Sequence, residues 1–391
     1  MRHVAEATKR ARRAVAVAFA GQGVCTAALV TRIPALQDRF DLSEGALAGL
    51  LAVVPIVAGV GSVVAGSMAA RRGSRPVLRV MGPVVPLALV LVGLAGSMAE
   101  LVAALVLVGF GLGAVDAAMN MQGVGVQMEY GRSVMASFFA VWSLAGIAGA
   151  AAASVAAATD LSLLGFFAVL AVVLVPFQLV VGRWLLPRNA ADTDAVDVLD
   201  ARIPWRPIAV LGVVITCVYV IESSVSNWSA VYLNDGLGSS ESIAALAYAA
   251  YALAMLVGRL FSDRAVGRRG PARLVRAGGI VAAAGLVVVS LAPSAAVALL
   301  GFAVVGLGLC AALPFAFVAA DAHDPLGSGT AVARVNVANY VGFVLGAPLV
   351  GVVAEFSSLR LGFFLLVPVA LVVAGLAKSF DPTPVRATTA E

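Results

Sequence analysis

The chain has 391 residues, of which 61% are hydrophobic and 12% charged, and its net charge is +5. Soluble domains carry about 25% charged residues, so a chain with half that share cannot coat a water-facing exterior, and a soluble enzyme or carrier is excluded. The basic excess does not indicate nucleic acid, because the arginines sit in short segments between long apolar runs, as the positive-inside rule describes.

A membrane-spanning helix needs about 20 mostly apolar residues. The first such run, 14–34, follows the basic residues Arg2, Lys9, Arg10, Arg12 and Arg13. It is too long for the apolar region of a signal peptide and reads as a first span with its N-terminus in the cytoplasm. Gln22 and Thr26 share one of its faces. The second and third runs are 43–70 and 76–98. The fourth, 101–128, carries Asp116, with Asn120, Gly123 and Gln127 at i+4, i+7 and i+11 on the same face. An ionisable group in hydrocarbon faces the bundle interior or a water-filled cavity. Asp116 therefore reads either as a proton site or as a protonated acid bonded to a neighbouring helix. Glu129 and Arg132 bracket Gly131 and are expected to pair. The fifth and sixth runs are 133–158, with Trp142 and Ser143, and 162–186.

The longest connection, 187–206, holds Asp192, Asp194, Asp197 and Asp200 and is expected to be a cytoplasmic linker. It separates two bundles, residues 1–186 and 207–391. Glu222 lies in the seventh run, 207–233, with Tyr219 and Ser226 on its face; it is a candidate for proton coupling or solute binding, or a partner for an outer-side charge such as Arg32. The eighth run, 241–264, carries Tyr248, Tyr251 and Met255 at i, i+3 and i+7. The ninth and tenth are 272–292 and 296–320. The eleventh, 330–354, presents Asn336, Asn339, Tyr340 and Phe343 on one face. Amides have no reason to face lipid, so the asparagines are expected to line a cavity. Arg334, one turn into that run, binds an anionic group or pairs with an acid such as Asp321. The twelfth run is 360–378.

With twelve spans and both termini inside, only Arg32, Arg39 and Arg360 of the 26 basic residues fall on the outer side. That asymmetry favours an even number of spans. The cysteines Cys25, Cys217 and Cys310 lie in apolar runs without C-x-x-C spacing or nearby histidines, and His3 and His323 fall in a terminus and a loop. No metal site, disulfide framework or cofactor is expected. The glycines of 109–113 lack a preceding strand and read as packing residues, and there is no P-loop, G-x-S-x-G or H-E-x-x-H. ATP-driven transport and enzyme chemistry have no machinery here.

The two bundles show internal similarity. Gly111-Leu112-Gly113 recurs as Gly306-Leu307-Gly308, 195 residues later, and GSMAARRGSRP between the second and third spans recurs loosely as GRLFSDRAVGRRGP between the eighth and ninth. At these junctions the chain resembles the major facilitator superfamily, whose signature is G-x-x-x-D-R-x-G-R-R. The first copy runs from Gly66 to Arg75 with Ala70 at the acidic position; the second keeps Gly258, Asp263, Arg264, Gly267, Arg268 and Arg269. The stretches TRIPALQDRFDLSEGALAGLL, DAAMNMQGVGVQMEYGRSVMASFFAVWSLAGIAGA and ARVNVANYVGFVLGAPLVGVVAE resemble the MosC/YbjJ-like branch, distantly similar to fucose permeases.

The resemblance implies an all-α integral membrane fold of twelve helices in two pseudo-symmetric six-helix bundles. It places Asp263 against the start of the fifth helix, beside Arg132, with Arg71, Arg72, Arg75, Arg264, Arg268 and Arg269 in the same cytoplasmic gate. Without an acid at Ala70 that gate is expected to be lopsided. Two drug-antiporter signatures are absent: no arginine precedes the Gly111 segment, and no proline follows Gly146 and Gly149. The expected function is proton-coupled movement of a small polar or amphipathic solute across a bacterial cytoplasmic membrane by alternating access. The alternative is an uncoupled facilitator or a non-transporting receptor. The expected partners are a small solute, protons and the lipid bilayer, with no nucleic acid and a functional monomer.

Overall fold

The computed structural model describes residues 6–187, 203–244, 246–324 and 327–381. His3 and the four linker aspartates lie outside them. Among the described residues there is no strand. The helices are α1 (Glu6–Thr31), α2 (Ile33–Phe40), α3 (Glu44–Arg72), α4 (Ser74–Leu94), α5 (Met98–Tyr130), α6 (Met135–Ala158), α7 (Leu163–Val181), α8 (Trp205–Val231), α9 (Glu241–Ala244), α10 (Leu246–Arg269), α11 (Pro271–Ser290), α12 (Ala295–Leu309), α13 (Ala312–Asp321), α14 (Thr330–Phe356), α15 (Leu359–Phe364) and α16 (Leu366–Gly375). Ten helical stretches are long and apolar enough to cross a membrane. The two remaining predicted spans fall short for visible reasons. Arg259, Asp263, Arg264, Arg268 and Arg269 charge α10, and the last span is interrupted at Leu365 between α15 and α16.

Helix ends are set by local chemistry. Ser97 accepts from Glu100 N at 3.3 Å while the Glu100 carboxylate accepts from Gly96 N at 2.7 Å, a reciprocal cap that satisfies otherwise orphaned donors. Ser43, Ser162 and Ser358 cap α3, α7 and α15. Gly131, at φ 66°, closes α5 in the left-handed conformation. At the predicted outer end, Arg39 donates to Gly93 O and Ala95 O, both at 2.7 Å, and so ties off the carbonyls ending α4.

Two compact units emerge. One contains Met1–Val134, Val141–Arg202 and Leu326–Ala333; the other contains Met135–Ala140, Ile203–Pro325 and Arg334–Glu391. Within them the same backbone approaches recur at a constant spacing. Gly109 meets Val54 and Gly306 meets Tyr251; Gly111 meets Val85 and Gly308 meets Ala282. Gly73 (φ 79°, ψ 161°) precedes α4 as Gly270 (φ 78°, ψ 158°) precedes α11. Every one of these equivalent residues is 197 positions from its counterpart. The 195-residue match of Gly111-Leu112-Gly113 is therefore corrected: Gly109-Phe110-Gly111 is the equivalent of Gly306-Leu307-Gly308. Helix contacts, not letter identity, set the register. A glycine is required where one helix backbone lies on another.

Candidate functional site

In the second unit, one face of α10 presents Tyr248, Tyr251, Met255 and Arg259 in turn. The Tyr248 and Tyr251 rings stack with centroids 6.0 Å apart. Tyr251 is 1% exposed, and its hydroxyl has no hydrogen-bond partner. Arg259 is 3% exposed. Its guanidinium lies 5.4 Å from the Phe139 ring centroid, a favourable site for a cation. From α8, Glu222 joins the group: Arg259 is its electrostatic neighbour, and its charge is felt by both tyrosines. Tyr219, one turn earlier on α8, belongs to the same cluster. Glu222 is half-buried and makes no hydrogen bond among the described residues. The cluster thus holds one acid, one base and a phenol without a hydrogen-bond partner in largely apolar surroundings.

Other α8 polar groups serve packing. Thr216 donates to Ala338 O, Ser223 to Phe343 O at 2.7 Å, Ser224 to Gly346 O at 2.9 Å and Trp228 to Ala347 O at 2.8 Å, a polar seam joining α8 to α14. Asn336 and Asn339 are buried, and the Asn339 amide donates to Asn336 Oδ1 at 2.9 Å. Tyr340 is half-buried and Phe343 exposed, so the expected four-residue face divides. Arg334 is exposed and forms no ion pair among the described residues, Asp321 included.

In the first unit, Gln22 links three helices. Its amide accepts from the Trp142 indole at 2.8 Å and donates to Leu112 O at 3.4 Å. Thr26 and Ser143 lie half-buried on α1 and α6. Asp116 is half-buried; the Asn120 amide donates to its carbonyl at 2.9 Å and to its carboxylate at 3.4 Å. The predicted stripe ends there, because Gln127 accepts from Val134 N at 3.0 Å and shapes the loop after α5. Arg32 donates to Leu161 O at 3.0 Å. The expected Glu129–Arg132 pair is also corrected. Glu129 accepts from Thr8 Oγ1 at 2.9 Å, and Arg132 lies over Tyr130 at 5.4 Å.

The signature segments differ between the two units. In the second unit, Asp263 accepts from Ala136 N at 3.2 Å and Ser137 N at 2.9 Å, capping the start of α6 where the helix dipole is positive. In the first unit the residue 197 positions earlier is Gly66, not Ala70, and a Cβ there would lie 2.5 Å from Ala333 Cβ, the equivalent of Ala136. One copy is an electrostatic cap; the other is a close apolar contact between Gly66 and the Ala333 side chain. Arg71, Arg72, Arg264, Arg268 and Arg269 are exposed at helix ends, and Arg75 donates to Arg183 O at 2.8 Å. Replacing Asp263 by alanine is expected to cost about 1 kcal/mol and to accelerate hydrogen exchange at Ala136 and Ser137; unchanged exchange would remove the cap from the account.

Three residues escaped the sequence reading. Arg259 was overlooked because it adjoins a signature rich in surface arginines, although its spacing from Tyr251 and Met255 would have placed it on their face. Gln122, fully bonded to Ser74 and Leu186, closes α5 onto neighbouring segments. Gln178 projects between Gly21 and Gly82, either of which would collide with it if given a Cβ.

The family model of the Major Facilitator Superfamily matches residues 2–150, 129–328 and 216–391. An uncharacterized transporter of Sinorhizobium fredii, y4wD, is 31% identical over 93% of this chain and 97% of its own. The membrane protein MosC of Rhizobium meliloti is 28% identical over 94% of this chain and 89% of its own. Among solved structures, the transporter FucP in its outward conformation superposes with a TM-score of 0.77 at 14% identity, over 95% of this chain and 98% of that one. A further structure of FucP describes it as the E. coli fucose:proton symporter. At that identity the likeness shows the fold.

Proposed function

Because the chain belongs to the major facilitator superfamily, it is a multi-pass membrane transporter rather than an enzyme, and we propose that it moves a small polar solute by proton-coupled alternating access. In this reading all twelve predicted spans cross the membrane, in six-helix units at residues 1–186 and 207–391. Both termini lie in the cytoplasm of a bacterial cell, and the monomer is the working unit. The observation that carries it is the cluster of Glu222, Arg259 and Tyr251. Glu222 is unbonded, and Tyr251 has a buried hydroxyl with nothing to bond to; burying such a group without a partner costs about 1–3 kcal/mol. A solute group bonded to that phenol recovers this, and protonation of Glu222 changes the balance of charge beside Arg259. Asp116 is the second proton candidate, with the weaker claim, because Asn120 already bonds to it. Release of the Asp263 cap accompanies opening toward the cytoplasm.

The test is a thermal-shift screen of small polar solutes on purified protein, since a ligand stabilises the folded state by mass action. A hit is expected to bind about tenfold more weakly to Tyr251→Phe, the value of one hydrogen bond to a buried group. Unchanged affinity would remove Tyr251 from the site.

A further inference from the structure

The end of the first unit where α4 begins and α7 finishes carries a cationic group that the transport reading leaves unused. Arg75 is half-buried, bonded through Nη2 to the Arg183 carbonyl, and its Nε is sealed from solvent without a hydrogen-bond partner. One turn along α4, the alkyl stem of Arg79 lies against Gly182, where a Cβ would sit 3.0 Å from Arg79 Cγ. The exposed Arg183 side chain lies on the short turn Gly182–Trp184 that ends the span begun by α7. None of the three meets a carboxylate among the described residues. Three arginines on adjoining segments without a carboxylate partner suit an anion.

The surface beside them identifies its kind. Trp184 is 42% exposed at the same end, the position where indoles mark the membrane–water boundary. The packed helices α4 and α7 that carry these residues also expose the apolar side chains Val80, Leu87, Phe177 and Val180. A free phosphate would use the charges and ignore that surface; a phospholipid uses both. We propose that Arg75, Arg79 and Arg183 bind the headgroup phosphate of an anionic phospholipid whose acyl chains lie along α4 and α7. Basic pockets between membrane helices take lipid headgroups in this way.

Native mass spectrometry of the purified full chain titrated with phosphatidylglycerol or phosphatidylcholine tests this. Arg79→Gln/Arg183→Gln alters two exposed side chains and leaves the Arg75–Arg183 backbone bond in place. The double variant is expected to bind phosphatidylglycerol on the order of 30-fold more weakly, from the typical surface contribution of two arginines, with phosphatidylcholine binding unchanged. Arg268→Gln/Arg269→Gln removes the same charge elsewhere and is expected to leave phosphatidylglycerol binding as in the wild type. Equal weakening by both pairs, no weakening by the first, or complete displacement of the lipid by excess inorganic phosphate would overturn the assignment. The outcome does not depend on whether the protein carries protons.

Discussion

Arg259→Leu is expected to lower the thermal midpoint by about 4 °C and to abolish transport. The buried guanidinium is the counter-charge of Glu222. Removing it leaves the half-buried Glu222 carboxylate without its electrostatic neighbour, at a cost of about 3 kcal/mol, the lower end of the range for breaking a buried pair. The sign of the pairing is testable by a double-mutant cycle. Glu222→Gln/Arg259→Leu is expected to recover most of the lost stability, since no isolated charge remains, while transport stays absent. A double variant as unstable as the sum of the two singles would mean the groups act independently. Loss of the contact between Arg259 and Phe139 would then be the main cause of instability.

The second large effect concerns the duplicated skeleton. Gly306→Leu and Gly109→Leu are both expected to prevent recovery of folded, monodisperse protein. A Cβ at Gly306 falls inside the van der Waals shell of the Tyr251 carbonyl, and one at Gly109 lies 2.7 Å from Val54 O. These obstacles are backbone, which cannot rotate away, so the penalty exceeds the about 1–3 kcal/mol of ordinary overpacking. Gly267→Ala is the control, because a Cβ there meets nothing within 4 Å; it is expected to fold and to keep the wild-type midpoint. Size-exclusion chromatography in detergent reads all three. Because Gly306 abuts the residue that carries the free phenol, its packing also fixes where Tyr251 stands.

Much of the fold was legible because lipid imposes it. Apolar runs mark spans, and the serine and glycine boundaries are local chemistry. The repeat was visible, but its register was not: a two-residue shift of Gly-x-Gly on Gly-x-Gly looks equally good as text, and only the Val54 and Tyr251 contacts choose 197. The site was half legible. Glu222 and Tyr251 announced themselves as polar groups in hydrocarbon. Arg259 did not, because sequence alone cannot separate a buried arginine from the exposed ones of the adjacent signature. Asn336, Asn339 and Gln127 signalled polarity in hydrocarbon, but spacing does not separate an amide bonding to its own helix or loop, as Asn339 does to Asn336 and Gln127 to Val134, from one facing a solute. The backbone contacts duplicate across the two units while the polar residues do not. Glu222 corresponds to Cys25, Arg259 to Ser62 and Asp263 to Gly66.

Reconstituted in liposomes with a solute found by thermal shift, the wild-type protein is expected to accumulate that solute when a pH gradient is imposed and to stop when the gradient is collapsed. Glu222→Gln is expected to bind the solute yet lose gradient-driven accumulation. Gradient-driven flux that survives in both Glu222→Gln and Asp116→Asn would contradict the account of coupling, and flux indifferent to the gradient in the wild type would contradict proton-driven transport itself.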